Sequence, residues 1–197
     1  MILVNIVNKK ELIRTAAIEV IATKGFYRST TDSIAAAAGV SVGTIYNYFK
    51  NKDEILEYIF QTELAHRAAI FTELKDLTVP SLEKLQLFLE AHFTEIKANP
   101  LVGQILVRER QVGHDALDGV RAFVEGIPQK IASLLQLSIE AGEIKPCNPL
   151  IISAAIFGAV EAVVRIAVFT VDPEERNRLL DQAPVELVNF ISSGLAK

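Results

Sequence analysis

Apolar positions recur at steps of three and four residues along almost the whole chain, and no stretch alternates in the manner of a strand. From Lys9 to Thr23, Leu12, Ile13, Ala16, Ala17, Val20 and Ile21 form the stripe of a helix facing a core, with Asn8 as its cap and Gly25 as its end. Thr31-Asp32-Ser33 opens a short helix, Ile34 to Ala38, closed by Gly39. Ser41 caps a second, Val42 to Phe49, with Ile45 and Phe49 turned inward. A long helix follows from Asp53 to about Leu77. Further helices are expected from Ser81 to Ala98, Leu101 to about Val112, Asp115 to Ala141 (bent near Pro128), Pro149 to Val171, and Pro173 to Leu195 (broken at Pro184). The pattern predicts an all-α chain of about nine helices.

The unit from Thr31 to Phe49 stands apart. Two short helices joined by Gly39-Val40-Ser41 have the geometry of a helix-turn-helix, whose second helix fits a DNA major groove. The outward face of that helix carries Ser41, Gly43, Thr44, Asn47 and Tyr48, with Tyr46 on its flank. Hydroxyls suit phosphate oxygens, and a glycine lets backbone approach backbone. Lys52 stands at the start of the long helix, where its ammonium and the helix dipole favour the same anion.

Charge sharpens this picture. Residues 1–52 hold seven basic groups (Lys9, Lys10, Arg14, Lys24, Arg28, Lys50, Lys52) against three acidic ones. The chain as a whole carries −4. A basic head on an acidic body implies that the head alone meets a polyanion. The single cysteine, Cys147, excludes a disulfide framework and suits a reducing cytoplasm. The opening MILVNIV has neither the basic flank nor the cleavage site of a signal peptide.

The stretch TTDSIAAAAGVSVGTIYNYFKNKDEIL closely resembles the DNA-binding signature of TetR-type transcriptional regulators, and the resemblance continues back through AAIEVIATKGF, covering roughly residues 8–60. It implies a helix-turn-helix domain over residues 1–52 and a ligand-binding and dimerisation domain over 53–197. It also implies a homodimer formed through helices 150–171 and 173–195, which reads a palindromic duplex operator and is controlled by a small molecule. Phosphate contacts are carried over onto Thr31, Ser41, Thr44, Tyr46, Tyr48 and Lys52, and base contacts onto Val42, Gly43 and Asn47. Val42 stands where relatives often place a polar or basic reader, which suggests contact with a thymine methyl. The segment before Lys9 lacks the basic arm that many relatives lay into the minor groove.

Residues 80–171 resemble, in spacing and residue type, the bodies of the fatty-acid-degradation repressors of that family, through LVGQILVRERQ, SIEAGEIKP and AIFGAVEAVV. This implies release from DNA by long-chain acyl-coenzyme A or a fatty acid, with no cofactor. Phe88, Phe93, Ile105, Phe123 and Phe157 recur on inward faces and are expected to line an apolar tunnel. Arg108, Arg110 and Arg121 are expected at its mouth. The alternative effector is a cationic or aromatic drug acting on a repressor of an efflux pump; the chain has no tryptophan and no dense aromatic-acidic pocket signature in its favour. An enzyme is not expected: there is no nucleophile elbow, phosphate loop or Ser-His-Asp grouping, and His66, His92 and His114 lack metal-ligand spacing. Residues 150–171 are long enough to span a membrane, but Glu161 and Arg165 near their middle would cost roughly 2.5–3.5 kcal/mol each on the insertion scale. The four-residue spacing lets them pair on one helix face. A helix buried at a subunit interface is expected.

Overall fold

The computed structural model describes residues 8–109 and 118–195; MILVNIV, Arg110, Gln111 and His114 lie outside them. Nine helices and no strand are present among the described residues. The first is α1, Lys9–Lys24, whose start is capped by the Asn8 side chain and which stops at Gly25. Next come α2, Thr31–Ala38, and α3, Val42–Tyr46. The long α4, Lys52–Lys75, leads out of the head into α5, Ser81–Ala98, and α6, Pro100–Arg108. The body is completed by α7, Asp118–Glu140, α8, Pro149–Phe169, and α9, Pro173–Leu195.

Ile13, Ala17, Ile21, Ile34, Ile45 and Phe49 close the centre of the head, each fully or almost fully removed from water. In the body, α4 packs along α7, α7 along α8, and α9 lies against both α5 and α8. The head is not a separate ball, because α1 also packs on α6 and on α4.

Neither interior proline ends its helix, so the break expected at Pro184 does not occur. Proline removes one backbone donor and crowds the preceding turn. In α9, however, Leu180, Ala183, Leu187 and Ile191 form one buried stripe across that position. Phe123, Ile127, Ile131 and Leu135 do the same across Pro128 in α7. Tertiary burial of an apolar face outweighs the local preference for a break.

Candidate nucleic-acid interface and a buried cavity

Caps set the geometry of the head. Thr30, one residue earlier than the sequence pattern suggested, caps α2: its hydroxyl accepts from the Ser33 amide at 3.1 Å, and the Ser33 hydroxyl accepts in return from the Thr30 amide at 3.1 Å. Gly39 then takes the left-handed conformation, φ 65°, that ends α2 and turns the chain. Ser41 caps α3 through the Thr44 amide at 3.1 Å, and the two hydroxyls meet at 2.9 Å. Within α3 Ile45 alone is buried, so this helix is held down by Ile45 and by Phe49 just beyond its end.

That anchoring leaves the outer surface free. Ser41, Gly43, Tyr46, Asn47 and Tyr48 are exposed, and Thr31, Val42 and Thr44 are half-buried beside them. Thr31 and Tyr46 come together from α2 and α3, their hydroxyls 3.5 Å apart. A Cβ at Gly43 would meet nothing closer than the Ser41 hydroxyl at 3.7 Å, so the backbone there is open to a close approach. Eight of the nine residues expected at a DNA interface are thus exposed or half-buried on and around α3, with Thr31 brought to Tyr46 from α2.

Lys52 is placed differently. Its ammonium donates to the carbonyls of Phe26 at 2.6 Å and Ser29 at 2.9 Å, and lies 4.2 Å from the centre of the Phe26 ring. Two of its three donors are thus spent binding the start of α4 to the turn after α1. The charge count of the head shrinks further, since Arg14 pairs with Glu63 and Lys10 sits over the Tyr58 ring. Lys9, Lys24, Arg28 and Lys50 remain exposed. The Tyr58 hydroxyl donates to the Glu11 carboxylate, which together with burial raises its pKa.

The body holds a narrow, partly open slit bounded by side chains of α4 to α8. Phe88, Phe123 and Phe157 line it as expected, joined by Ile96, Ile127, Ile131, Val160 and Val164. Phe93 and Ile105 are buried but do not reach it. Of the arginines expected at its mouth, Arg108 borders an adjoining groove that shares Val107 and Glu161 with the slit. Arg108 reaches away toward the head, donating to the carbonyls of Ile21 and Ala22 at the end of α1 while pairing with Glu109 at 2.7 Å. Arg121 is exposed and pairs with Asp118 on its own helix. Arg110 lies outside the described residues.

The polar wall of the slit comes from Arg67, which the sequence did not single out, and from His92 and Glu161, which it named in other roles. Arg67 is 1% exposed and lines the cavity with His92 and Glu161. Its Nη1 donates to the Glu63 carboxylate at 2.7 Å and its Nε to His92 Nδ1 at 3.2 Å; Nη2 is buried and has no acceptor among the described residues. Burial, reinforced by the Arg67 charge, holds the pKa of His92 well below 6.5, so the ring is neutral and can accept. Glu63 is shared, since its other oxygen takes the Arg14 guanidinium from α1. A signal for these residues does exist. Leu56, Phe60, Glu63, Arg67, Phe71 and Leu74 follow one another at three- and four-residue steps and are all buried. An acid and a base at the centre of a core stripe mark a buried pair.

Residues 13–59 match the family described as bacterial regulatory proteins, tetR family, and residues 78–165 match the tetracyclin repressor-like C-terminal domain. The chain is 30% identical over 151 residues to the fatty acid metabolism regulator protein of Bacillus subtilis, which covers 76% of this chain and 78% of that protein. Its fold is similar to that of the fatty acid degradation regulator FadR from Bacillus halodurans, with a TM-score of 0.85 and 25% identity over 95% of this chain and 96% of that one. FadR from Bacillus subtilis, solved in complex with stearoyl-CoA, matches with a TM-score of 0.82 and 26% identity over 93% of this chain and 98% of its own.

Proposed function

The chain belongs to the TetR family of bacterial transcription regulators, and from that premise we propose that it is a homodimeric repressor released from a palindromic operator by a long-chain acyl ligand, acyl-coenzyme A in the first instance. The observation that carries the effector is the slit itself, lined by three phenylalanines and aliphatic side chains, in a fold shared with a regulator that binds stearoyl-CoA. Arg67 in the wall offers an acyl oxygen a charged donor, and the Glu161 carboxylate stands in the same wall. Tyr46, Tyr48, Thr31, Ser41 and Thr44 hold phosphates in this reading, while Val42, Gly43 and Asn47 meet base edges. Lys52 adds at most its third donor and acts chiefly as a brace.

The dimer contact is the outer face of α8 with α9. Ile151, Ala154, Ala155, Gly158, Ile166 and Phe169 form an exposed stripe on α8, and Phe190 on α9 is 75% exposed. The small residues at the centre of that stripe permit close approach of a second copy. α8 is also long and apolar enough to cross a membrane, but its other face packs on α6, α7 and α9, as in a helix shared between two subunits. The place of action is the cytoplasm, where the operator is.

The test is a titration of acyl-coenzyme A species of 8 to 18 carbons against the protein on an operator selected from random duplexes. Each added methylene should tighten binding by roughly 0.8 kcal/mol, about fourfold, until the slit is full. A response flat with chain length, or release by aromatic cations instead, would transfer the assignment to the efflux class.

A further inference from the structure

Within the effector reading given above, on which this step rests, the buried charges say more than the apolar lining does. An apolar ligand needs only the phenylalanines. Arg67 is superfluous to such a ligand and costly to the fold, because a guanidinium taken out of water must satisfy its donors in the protein. Two of its nitrogens are satisfied, by Glu63 and His92. The third, Nη2, is buried without a partner among the described residues, on a side chain that forms part of the cavity wall. Glu95 also faces Arg67, 3.8 Å from Nη1, too far for a hydrogen bond. A vacant charged donor in the wall of an apolar slit is a place for an acceptor that arrives with the ligand.

The same guanidinium is tied to the DNA-binding head. The Glu63 carboxylate is divided between Arg67 on one side and Arg14 of α1 on the other, and Arg14 is itself only 13% exposed along its side chain. A carboxylate held by two buried guanidinium groups has its position fixed by both. Drawing Arg67 toward a new acceptor weakens its hold on Glu63, and Glu63 then shifts its weight to Arg14. We propose that Arg67 is the effector-sensing residue of the cavity: its Nη2 takes the carbonyl oxygen of the acyl group, and the shared Glu63 carboxylate passes that event to Arg14 and so to α1. The shared chemistry is an acyl oxygen, whether from a thioester or from a free carboxylate.

Three probes separate the sources: hexadecanoyl-coenzyme A, hexadecanoate, and the thioether hexadecyl-coenzyme A, which keeps chain and cofactor but lacks the carbonyl. A hydrogen bond from a charged donor predicts that the thioether binds roughly ten- to a hundredfold more weakly than the thioester. Equal binding of the two overturns the proposal while leaving the acyl reading intact; binding of none of the three removes the acyl reading itself. Arg14→Gln tests the relay, since Arg14 is not among the cavity-lining residues. It should still bind hexadecanoyl-coenzyme A with the preference for thioester over thioether, yet lose most of the ligand's effect on operator affinity. Full retention of that effect overturns the relay. If Arg14→Gln does not bind operator, amide exchange in residues 9–24 on adding ligand gives the same reading without DNA. The relay requires a change in the unaltered protein that is absent from the variant; the same change in both overturns it.

Discussion

Two glycines in α7 receive opposite predictions for one substitution, and the difference is set by what lies across from each. A Cβ built on Gly119 falls 2.8 Å from Gln61 Cγ, 2.9 Å from the backbone carbonyl oxygen of Glu57 and 3.0 Å from Glu57 Cγ, all on α4. The two side chains could rotate aside, at the expense of the 2.9 Å hydrogen bond between them. The carbonyl cannot, being part of the α4 backbone. Gly119→Ala therefore forces α7 away from α4, and overpacking of this kind costs about 1–3 kcal/mol. A Cβ on Gly126 meets only Leu64 Cδ1 at 3.5 Å, an ordinary contact. Gly126→Ala should stabilise the helix by up to about 1 kcal/mol through reduced backbone freedom in the unfolded chain. Thermal unfolding followed by circular dichroism, at one fixed protein concentration, reads both variants. For a chain of this size each kcal/mol moves Tm by about 2–4 °C, so Gly119→Ala should fall by roughly 2–12 °C while Gly126→Ala stays level or rises. If Gly119→Ala rises with Gly126→Ala, the close approach of α7 to α4 is not a packing constraint.

Lys52→Met should lower Tm as well as operator affinity, because it removes the two carbonyl contacts that hold the head to α4; an unchanged Tm with weakened DNA binding would restore a purely phosphate-binding role. His92 gives a pH signature: above about pH 6.5 the ring is neutral in the folded and unfolded chain alike, and below it the unfolded chain takes up a proton that the folded one refuses. Stability should thus fall on acidification by up to about 1.4 kcal/mol per pH unit from this group, and His92→Gln should show a shallower slope between pH 6.5 and 5 in denaturant titrations. Ala155→Arg places a charge at the centre of the exposed α8 stripe and should convert a dimer to a monomer in light scattering; a monomeric unaltered protein at micromolar concentration would instead show that the stripe is not the subunit contact.

Local grammar made most of the fold legible. Caps, terminal glycines and the phase of the apolar stripes locate every helix of the head to within a few residues. The phase of a stripe says that a side chain is inside, not which neighbour it meets. Phe88 and Phe93 are equally buried, yet five residues turn a helix by about 140°, and only the first reaches the slit. The charge of an arginine does not reveal its direction: Arg108 borders a groove adjoining the slit but gives its guanidinium to α1, and Arg121 pairs on its own helix. Arg67 and His92 are 25 residues apart on different helices, and nothing local announces that they touch. Pro184 erred the other way, because its local cost is plain in the sequence while the burial that outweighs it is not.

The end of α1 is finished by a residue from a distant part of the chain. Of the carbonyls in its last turn, that of Ala22 accepts from Arg108, that of Ile21 from Arg108 and the Gly25 amide, and Glu109 accepts from the Phe26 amide at 3.3 Å in the turn that follows. Regulators of this architecture invite exchange of parts, with the reading head of one chain grafted onto the sensor of another at the start of the long connecting helix. In this chain such a graft would sever a helix from its own terminator. A chimaera that carries the Arg108-Glu109 pair along with the head, or imports a head already matched to it, keeps that helix end closed. One that respects only the linear boundary leaves it frayed at the joint where a signal has to cross.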